Sequence, residues 1–113
     1  MKNVLFILIF SLSSCLYLMA QNQHNIDYNK ALLIDVRTPQ EFAEGSAKGA
    51  INIPLHELPS RLSELKTDKP IVVFCRSGAR SARALQILKQ NGITNAVNGG
   101  TWMEVDKKLK TQR

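Results

Sequence analysis

Glycine and proline are scarce in this sequence, which has six glycines and four prolines among 113 residues. It also has no internal repeat, no heptad pattern and no low-complexity tract. These features exclude collagen-like and repetitive architectures. An apolar fraction of 44% is too high for a disordered chain, and the length limits the protein to one small domain. We therefore expect a single globular core.

Cysteine and histidine are scarce as well. The cysteines are Cys15 and Cys75, and the histidines are His24 and His56. These residues do not form pairs at the spacing of metal ligands, so we expect no metal, and we expect no other cofactor.

Acidic residues are outnumbered, with nine Asp and Glu against fifteen Lys and Arg and a net charge of +6. Clustered basic residues occur in the middle of the chain and at its end: Arg76, Arg80 and Arg83, and then Lys107, Lys108, Lys110 and Arg113. No aromatic residues are interleaved with either cluster, which argues against a nucleic-acid partner. The first cluster suits a small anion, and the second is typical of a solvated tail.

A long apolar run occurs only at the start of the chain. Residues 1–20 carry one charge, on Lys2, followed by an apolar stretch over residues 4–12. This order is typical of a secretory signal peptide. A retained membrane helix is the alternative, because the run approaches the length that spans a bilayer. We favour the signal peptide, since three serines interrupt the run and no second apolar helix follows.

Two processing routes are compatible with this segment. Cleavage after Ala20 would release a soluble protein, whereas Leu12-Ser13-Ser14-Cys15 resembles a lipobox and would leave a lipid on Cys15. We favour the first route, because residues 16–19 are still apolar where a lipoprotein turns polar, and we assign residues 21–30 to a polar leader. Either route exports the protein. We expect it in the periplasm, with membrane contact only if Cys15 is lipidated.

Strand-like and helix-like segments alternate after the leader. The predicted strands are 31–36, 50–53, 71–74 and 95–97, with Gly99-Gly100 ending the last one. The predicted helices are 39–45, 56–65, 81–91 and 102–109, the second of them from leucines spaced three and four residues apart. Such alternation predicts right-handed crossovers and a mainly parallel sheet. The fold class is therefore α/β, in one domain.

Cys75 stands where the most strand-like segment runs into a helix, as the first residue after the predicted strand. Ligands of parallel sheets bind beyond the carboxyl ends of the strands. Gly78, with the small Ser77 and Ala79 beside it, lets the backbone curl so that successive N–H groups converge. The helix N-terminus adds a positive dipole end. Such a loop lowers the pKa of a thiol, so Cys75 is a candidate nucleophile; an inert core cysteine is the alternative.

Two arginines, Arg76 and Arg80, flank this loop. Guanidinium groups beside backbone N–H donors suit an oxyanion of sulfur or phosphorus. Arg83 lies one turn further along the helix, where we expect a solvated surface. No His, Asp or Glu is close in sequence to act as a base, and a thiol already ionised by the loop would need none.

Four blocks of the sequence resemble the rhodanese domain in order and spacing. They are Leu33-Ile34-Asp35-Val36-Arg37-Thr38-Pro39-Gln40-Glu41-Phe42 with Gly45, then Gly49-Ala50-Ile51-Asn52-Ile53-Pro54-Leu55, then Val72-Val73-Phe74-Cys75-Arg76-Ser77-Gly78-Ala79-Arg80-Ser81, and Asn98-Gly99-Gly100 with Trp102. The resemblance covers about residues 31–104 and is strongest to small periplasmic rhodaneses that use thiosulfate. It implies one rhodanese-like domain over residues 31–113, with a mainly parallel sheet of about four strands flanked by helices.

The resemblance also implies an enzyme, a thiosulfate sulfurtransferase. Cys75 would take a sulfane sulfur from a small anionic donor and pass it, as a persulfide, to cyanide or a thiol. Backbone amides of residues 76–80 would stabilise the charged sulfur, and the two loop arginines would hold the thiosulfate anion. The substrate-binding residues implied in this way are Arg76, Ser77, Gly78, Ala79 and Arg80.

The same resemblance implies a structural role for three further positions, Asp35, Arg37 and Glu41. Where the family usually has Gly-His-Ile, this chain has Gly45-Ser46-Ala47, and we expect this loss of a side chain to affect packing rather than chemistry. Trp102 is likewise expected to pack.

Two other functions compete with this interpretation. A phosphatase or arsenate reductase also places a cysteine before an arginine-ended loop, but with five intervening residues where this chain has four between Cys75 and Arg80. A non-enzymatic persulfide carrier or binding module of the same fold is the second alternative. Binding modules of this family lack the loop cysteine, whereas a carrier would keep it.

Overall fold

The computed structural model describes residues 26–113, and this range contains one four-stranded sheet. Its strands are β1 (Leu32–Asp35), β2 (Ile51–Asn52), β3 (Ile71–Cys75) and β4 (Ala96–Thr101). They are ordered β2-β1-β3-β4, and every neighbouring pair is parallel. The predicted α/β class and parallel sheet are therefore confirmed. β1 and β3 occupy the centre, which places the end of β3 in the middle of the carboxyl edge.

Three α-helices and three 3₁₀ segments accompany the strands in this part of the chain. The helices are α1 (Pro39–Glu44), α2 (Ala79–Gln90) and α3 (Trp102–Thr111), and the 3₁₀ segments are Tyr28–Lys30, Leu55–Ser60 and Leu62–Leu65. Thr38 and Thr101 begin α1 and α3 with capping boxes, in which Glu41 and Glu104 return hydrogen bonds to the cap. These capping boxes fix the residue at which each of the two helices begins.

The core lies on both faces of the sheet, and β3 is buried along its whole length. Because side chains alternate along a strand, Val73 and Cys75 face one cluster with Leu58 and Leu88, whereas Phe74 faces the other with Val105. The first cluster lies beneath α2 and the 3₁₀ segments Leu55–Ser60 and Leu62–Leu65, and the second lies beneath α3 and the segment Tyr28–Lys30. Cys75 therefore points toward the side of the sheet that α2 covers.

One predicted helix is wrong. Residues 56–65 form two 3₁₀ segments separated by Arg61 instead of one amphipathic α-helix. Pro59 lies inside the first segment, where its ring and missing N–H oppose a continuous α-helix. The leucine spacing nevertheless predicts which side of this segment faces the core, since Leu58 and Leu65 are fully buried.

The predicted ends of two strands are also wrong. β4 continues to Thr101 through Gly99-Gly100, with a register irregularity between Val73 and Phe74 of the neighbouring strand. The glycines bend this strand and do not end it. Cys75 is the last residue of β3 and pairs with Thr101, so the nucleophile candidate is held by the sheet ladder itself.

The described part of the polar leader packs against the C-terminal helix. Tyr28 is buried, and its N–H donates to Oε1 of Gln112 over 2.8 Å. Nε2 of Gln112 donates in turn to the carbonyl of Ile26 over 3.0 Å. The predicted signal peptide, residues 1–20, and Cys15 lie outside the described residues. Within residues 26–113 no helix has the length and apolar character needed to cross a membrane.

Candidate active site

Cys75 lies at the carboxyl end of a central strand, where the sheet meets the N-terminus of α2. The residue is fully buried. Among residues 26–113 it is a free cysteine. Parallel sheets bind ligands at this edge, so the fold places the thiol where a reaction centre is expected.

Backbone N–H groups surround the sulfur. Gly78 donates to Sγ over 3.0 Å and Ser81 donates over 3.4 Å. These groups belong to the first turn of α2, whose N–H groups have no partners within the helix. Gly78 is the N-cap of α2, and having no side chain it supplies no capping hydrogen bond; its φ of +96° is the left-handed conformation that glycine adopts readily. The sulfur of Cys75 therefore acts as the cap of this helix.

These contacts change the ionisation of the thiol. Burial raises the pKa of Cys75, but hydrogen bonds from the side chain and backbone of Ser81 and from the backbone of Ser77 and Gly78 lower it. The lowering effects prevail, so the pKa lies below its usual value of 9.0. The loop thus favours a thiolate, the form of cysteine that reacts as a nucleophile.

A buried serine connects the sulfur to the neighbouring strand. Oγ of Ser81 lies 3.4 Å from Sγ of Cys75 and 2.8 Å from Oδ1 of Asn98 in β4. The same hydroxyl lies 3.0 Å from the carbonyl of Gly78, and the N–H of Gly100 donates to Oδ1 of Asn98 over 2.9 Å. Ser81 and Asn98 were not among the predicted site residues, although a serine in the first helical turn after the nucleophile and an asparagine before Gly-Gly are visible in the sequence.

Arg80 makes an ion pair with a residue of α1. Its Nη1 and Nη2 donate to the two carboxylate oxygens of Glu41 over 2.7 and 3.0 Å. The hydrogen bond from Arg80 is the main reason why the pKa of Glu41 falls to about 2. The hydrogen bond to Glu41 likewise raises the pKa of Arg80. This pair joins the start of α2 to α1 and directs two donors of Arg80 toward a carboxylate.

A buried ion pair links the end of β1 to the residues on either side of α1. Arg37 donates to both carboxylate oxygens of Asp35, at 2.7 Å in the shortest contact, and to the carbonyl of Gly45 over 2.6 Å. Oγ of Ser46 donates to Asp35 over 2.6 Å. Ser46, in the segment that departs from the usual family pattern, therefore supplies a hydrogen bond to a carboxylate with no exposed surface.

A pocket of about 300 Å³ opens beside the loop. Its lining residues come from the segment around α1, from the loop after Cys75 and from the start of α3: Arg37, Glu41, Glu44, Gly45, Arg76, Trp102 and Met103. The guanidinium of Arg37 lies 5.3 Å from the ring centre of Trp102, which agrees with a packing role for that ring. Two larger pockets, of about 370 and 490 Å³, lie around Asp68 and Asn95 at the amino ends of β3 and β4, away from the thiol.

The predicted loop residues are placed in different ways. Ser77 and Gly78 are brought to the sulfur through their backbone, whereas Arg76 and Ala79 have exposed side chains and Arg80 faces a carboxylate. Arg83 is exposed, and among the described residues its side chain donates a hydrogen bond to Gln86 alone, as expected of a solvated helix surface. In the part of the chain that the structure describes, no three Cys, His, Asp or Glu residues are grouped as metal ligands would be.

Sequence comparison identifies relatives of this chain. The rhodanese-like domain family matches residues 18–101. A Bacillus subtilis protein, YqhL, is 45% identical over 80 residues, which are 71% of this chain and 64% of the relative. An Allochromatium vinosum protein named sulfurtransferase is 42% identical over 77 residues, 68% of this chain and 72% of the relative. Thiosulfate sulfurtransferase PspE of Escherichia coli is 39% identical over 69 residues, 59% of this chain and 66% of the relative. The chain thus spans about two thirds of these relatives.

Structure comparison leads to the same family. An Escherichia coli rhodanese solved with anions matches with a TM-score of 0.61 and 34% identity, over 66% of this chain and 89% of that chain. This chain is therefore a member of the rhodanese-like domain family.

Proposed function

We propose that this protein is a thiosulfate sulfurtransferase that carries a sulfane sulfur on Cys75. The observation that carries the proposal is the convergence of helix and loop N–H groups on a buried sulfur, with Gly78 at 3.0 Å and Ser81 at 3.4 Å. Such a site stabilises a sulfur anion without needing a neighbouring base. The family membership and relatives named sulfurtransferases support the same chemistry.

The first half of the proposed reaction loads the cysteine. The thiolate of Cys75 attacks the outer sulfur of thiosulfate, and a new sulfur–sulfur bond forms. The bond to the sulfonate sulfur breaks, and its electron pair leaves with sulfite. One thiolate and one dianion become one persulfide anion and one dianion, so charge balances and no external oxidant is used. The N–H donors at Cys75 stabilise negative charge on sulfur before and after this step.

The second half unloads the persulfide. Cyanide or a thiolate attacks the terminal sulfur, and the bond between that sulfur and Sγ breaks. The electron pair returns to Sγ, which restores the Cys75 thiolate and releases thiocyanate or a new persulfide. The acceptor gains one sulfur, and the free enzyme is regenerated.

Arg76 is better placed than Arg80 to attract the donor. Its side chain is exposed, lines the pocket beside the loop, and has no salt bridge among residues 26–113. Arg80 already directs two donors to the carboxylate of Glu41. We therefore propose that Arg76 supplies most of the attraction for thiosulfate, and that Arg80 mainly fixes the loop against α1.

A single-turnover experiment tests this function. Treatment with thiosulfate should release one equivalent of sulfite and add the mass of one sulfur atom to the peptide that contains Cys75. The Cys75→Ser variant should do neither, and an Arg76→Gln variant should raise the KM for thiosulfate with little change in the alkylation rate of the free thiol. Absence of a sulfur adduct on Cys75 would contradict the proposal. Loading without transfer to cyanide or small thiols would assign the protein as a persulfide carrier.

We also propose that the protein is exported to the periplasm. The support is the signal-like composition of residues 1–20, with Ala20 as the favoured cleavage position and a lipid on Cys15 as the alternative. Mass spectrometry of the mature N-terminus separates these routes. A mature chain that begins at Gln21 supports soluble export, one that begins at a diacylated Cys15 supports anchoring, and an uncleaved cytoplasmic chain refutes both.

A further inference from the structure

The hydroxyl of Ser81 lies near more hydrogen-bond acceptors than its single proton can bind at once. It has one proton, yet three acceptors lie within reach: Oδ1 of Asn98 at 2.8 Å, the carbonyl of Gly78 at 3.0 Å and Sγ of Cys75 at 3.4 Å. A serine hydroxyl rotates freely about its C–O bond and can also accept a hydrogen bond. Which partner receives the proton therefore depends on the charge of each acceptor.

Ionisation of the cysteine changes the best arrangement. While the thiol is neutral, its S–H can donate to Oγ of Ser81, and the hydroxyl can donate to Oδ1 of Asn98. When the thiolate forms, Sγ carries no proton and becomes the most negative acceptor near Ser81. Hydrogen bonds to charged acceptors are stronger than those to neutral ones, so the hydroxyl turns toward the sulfur.

The structure allows this turn without leaving either acceptor unpaired. Oδ1 of Asn98 keeps the N–H of Gly100 at 2.9 Å. The carbonyl of Gly78 keeps the N–H of Ala82 at 3.0 Å. Both acceptors that the hydroxyl leaves therefore retain a fixed donor. Both orientations of the hydroxyl are therefore accommodated by one backbone arrangement.

We propose that Ser81 is a movable hydrogen-bond donor to the sulfur of Cys75 and that Asn98 is a positioning residue that acts through Ser81. The backbone donors of the loop are fixed in direction, whereas the hydroxyl follows the charge of the sulfur. Asn98, in β4, accepts the hydroxyl proton while the thiol is neutral and competes with the sulfur for it once the thiolate forms, and Gly100 orients Asn98. This inference deepens the proposed function and rests on it, because the ionised sulfur is the form that the sulfur-transfer steps require.

The alkylation of Cys75 as a function of pH tests this inference. Iodoacetamide reacts with the thiolate, so the midpoint of the rate profile reports the ionisation of the thiol. In the full chain, peptide mass spectrometry distinguishes Cys75 from Cys15. We expect Ser81→Ala to raise the midpoint by about one to two pH units, the range that corresponds to one hydrogen bond to a charged atom. We expect Asn98→Ala to lower it, because Oδ1 of Asn98 competes with the sulfur for the hydroxyl proton of Ser81.

A double-mutant cycle separates direct from indirect effects. If Asn98 acts through Ser81, adding Asn98→Ala to Ser81→Ala causes no further change in the midpoint. An equal shift of the midpoint in both backgrounds would overturn the positioning role of Asn98. An unchanged midpoint in Ser81→Ala would overturn the role of Ser81. Asn98 is exposed, so its variant keeps the test open even if the buried Ser81 variant folds poorly.

Matched controls and a separate readout complete the design. Asn91→Ala and Ser63→Ala change exposed residues away from the loop and should leave the midpoint unchanged. Alkylation needs no sulfur donor, so it is independent of turnover. A shifted midpoint without sulfite release in the wild type would refute the proposed function and keep this inference. Sulfite release with an unshifted midpoint in Ser81→Ala would support the proposed function and refute this inference.

Discussion

Replacing Arg37 with alanine should destabilise the domain strongly. Asp35 has no exposed surface, and its charge is compensated mainly by Arg37, which approaches to 2.7 Å. Ser46 and the backbone N–H of Arg37 add neutral donors but no positive charge. The substitution would leave a buried carboxylate without a counterion and remove the bond to the carbonyl of Gly45. It would also remove the guanidinium that packs on Trp102.

The expected loss follows from the burial of this pair. Removing one partner of a buried ion pair costs about 3 to 5 kcal/mol of unfolding free energy, because the other charge remains buried and uncompensated. For a domain of this size, about 1 kcal/mol lowers Tm by roughly 4 to 8 °C. Arg37→Ala should therefore lower Tm by at least about 12 °C. The loop after β1, which lines the pocket beside Cys75, should lose its order first.

Urea unfolding near neutral pH measures this loss, and two further variants make the result specific. Arg83→Ala removes an exposed arginine without an ion pair among the described residues and should change the unfolding free energy by less than about 0.5 kcal/mol. The double variant Asp35→Asn/Arg37→Leu removes both charges and should be more stable than Arg37→Ala alone. A loss below about 1 kcal/mol in Arg37→Ala, or a double variant that is less stable than the single one, would refute the reasoning.

Three other changes have distinct expected outcomes. Cys75→Ser should abolish sulfite release and keep the fold, which turnover assays and circular dichroism check together. Because the pKa of Glu41 is lowered from 4.5 to about 2, its pairing with Arg80 stabilises the protein above pH 4.5, and this stability is lost as the pH falls toward 2. Glu41→Gln should therefore flatten the pH dependence of urea unfolding in that range, and an unchanged slope would contradict it. Gly99→Ala should cost about 1 to 3 kcal/mol by overpacking, because the new Cβ would lie 2.7 Å from side-chain atoms of Val72 and Val105.

The strands of this fold were predictable where a single local pattern decided the outcome. The unbroken, β-branched run at β3 predicts a strand, and the structure forms that strand and buries every residue of it. The leucine spacing after β2 predicts the buried side correctly but the wrong helix type. Pro59 lies inside this short segment and opposes a continuous α-helix whatever the spacing of the leucines. Gly99-Gly100 suggested an end to β4, whereas pairing with β3 carries the strand through both glycines.

The site was predictable to the extent that it is local in sequence. Cys75, Gly78 and the start of α2 lie within a few residues, so their convergence follows from a strand running into a helix. The partner of Arg80 lies 39 residues away on α1, and Asn98 lies 17 residues from Ser81 on another strand. Such contacts depend on the order of strands in the sheet, which propensity and spacing do not specify.

The proposed export would place the thiol of Cys75 in an oxidising compartment, where its complete burial has a protective consequence. A disulfide between two protein chains requires their Cα atoms to approach within about 7 Å, and the walls around this sulfur prevent that approach unless the domain opens. Because the sulfur has no exposed surface, a donor of a few atoms also needs the loop to open, but by far less than a second protein chain would need. The fold thus selects by size, so that the same sulfur can be reactive toward small donors and protected from cross-linking to neighbouring proteins.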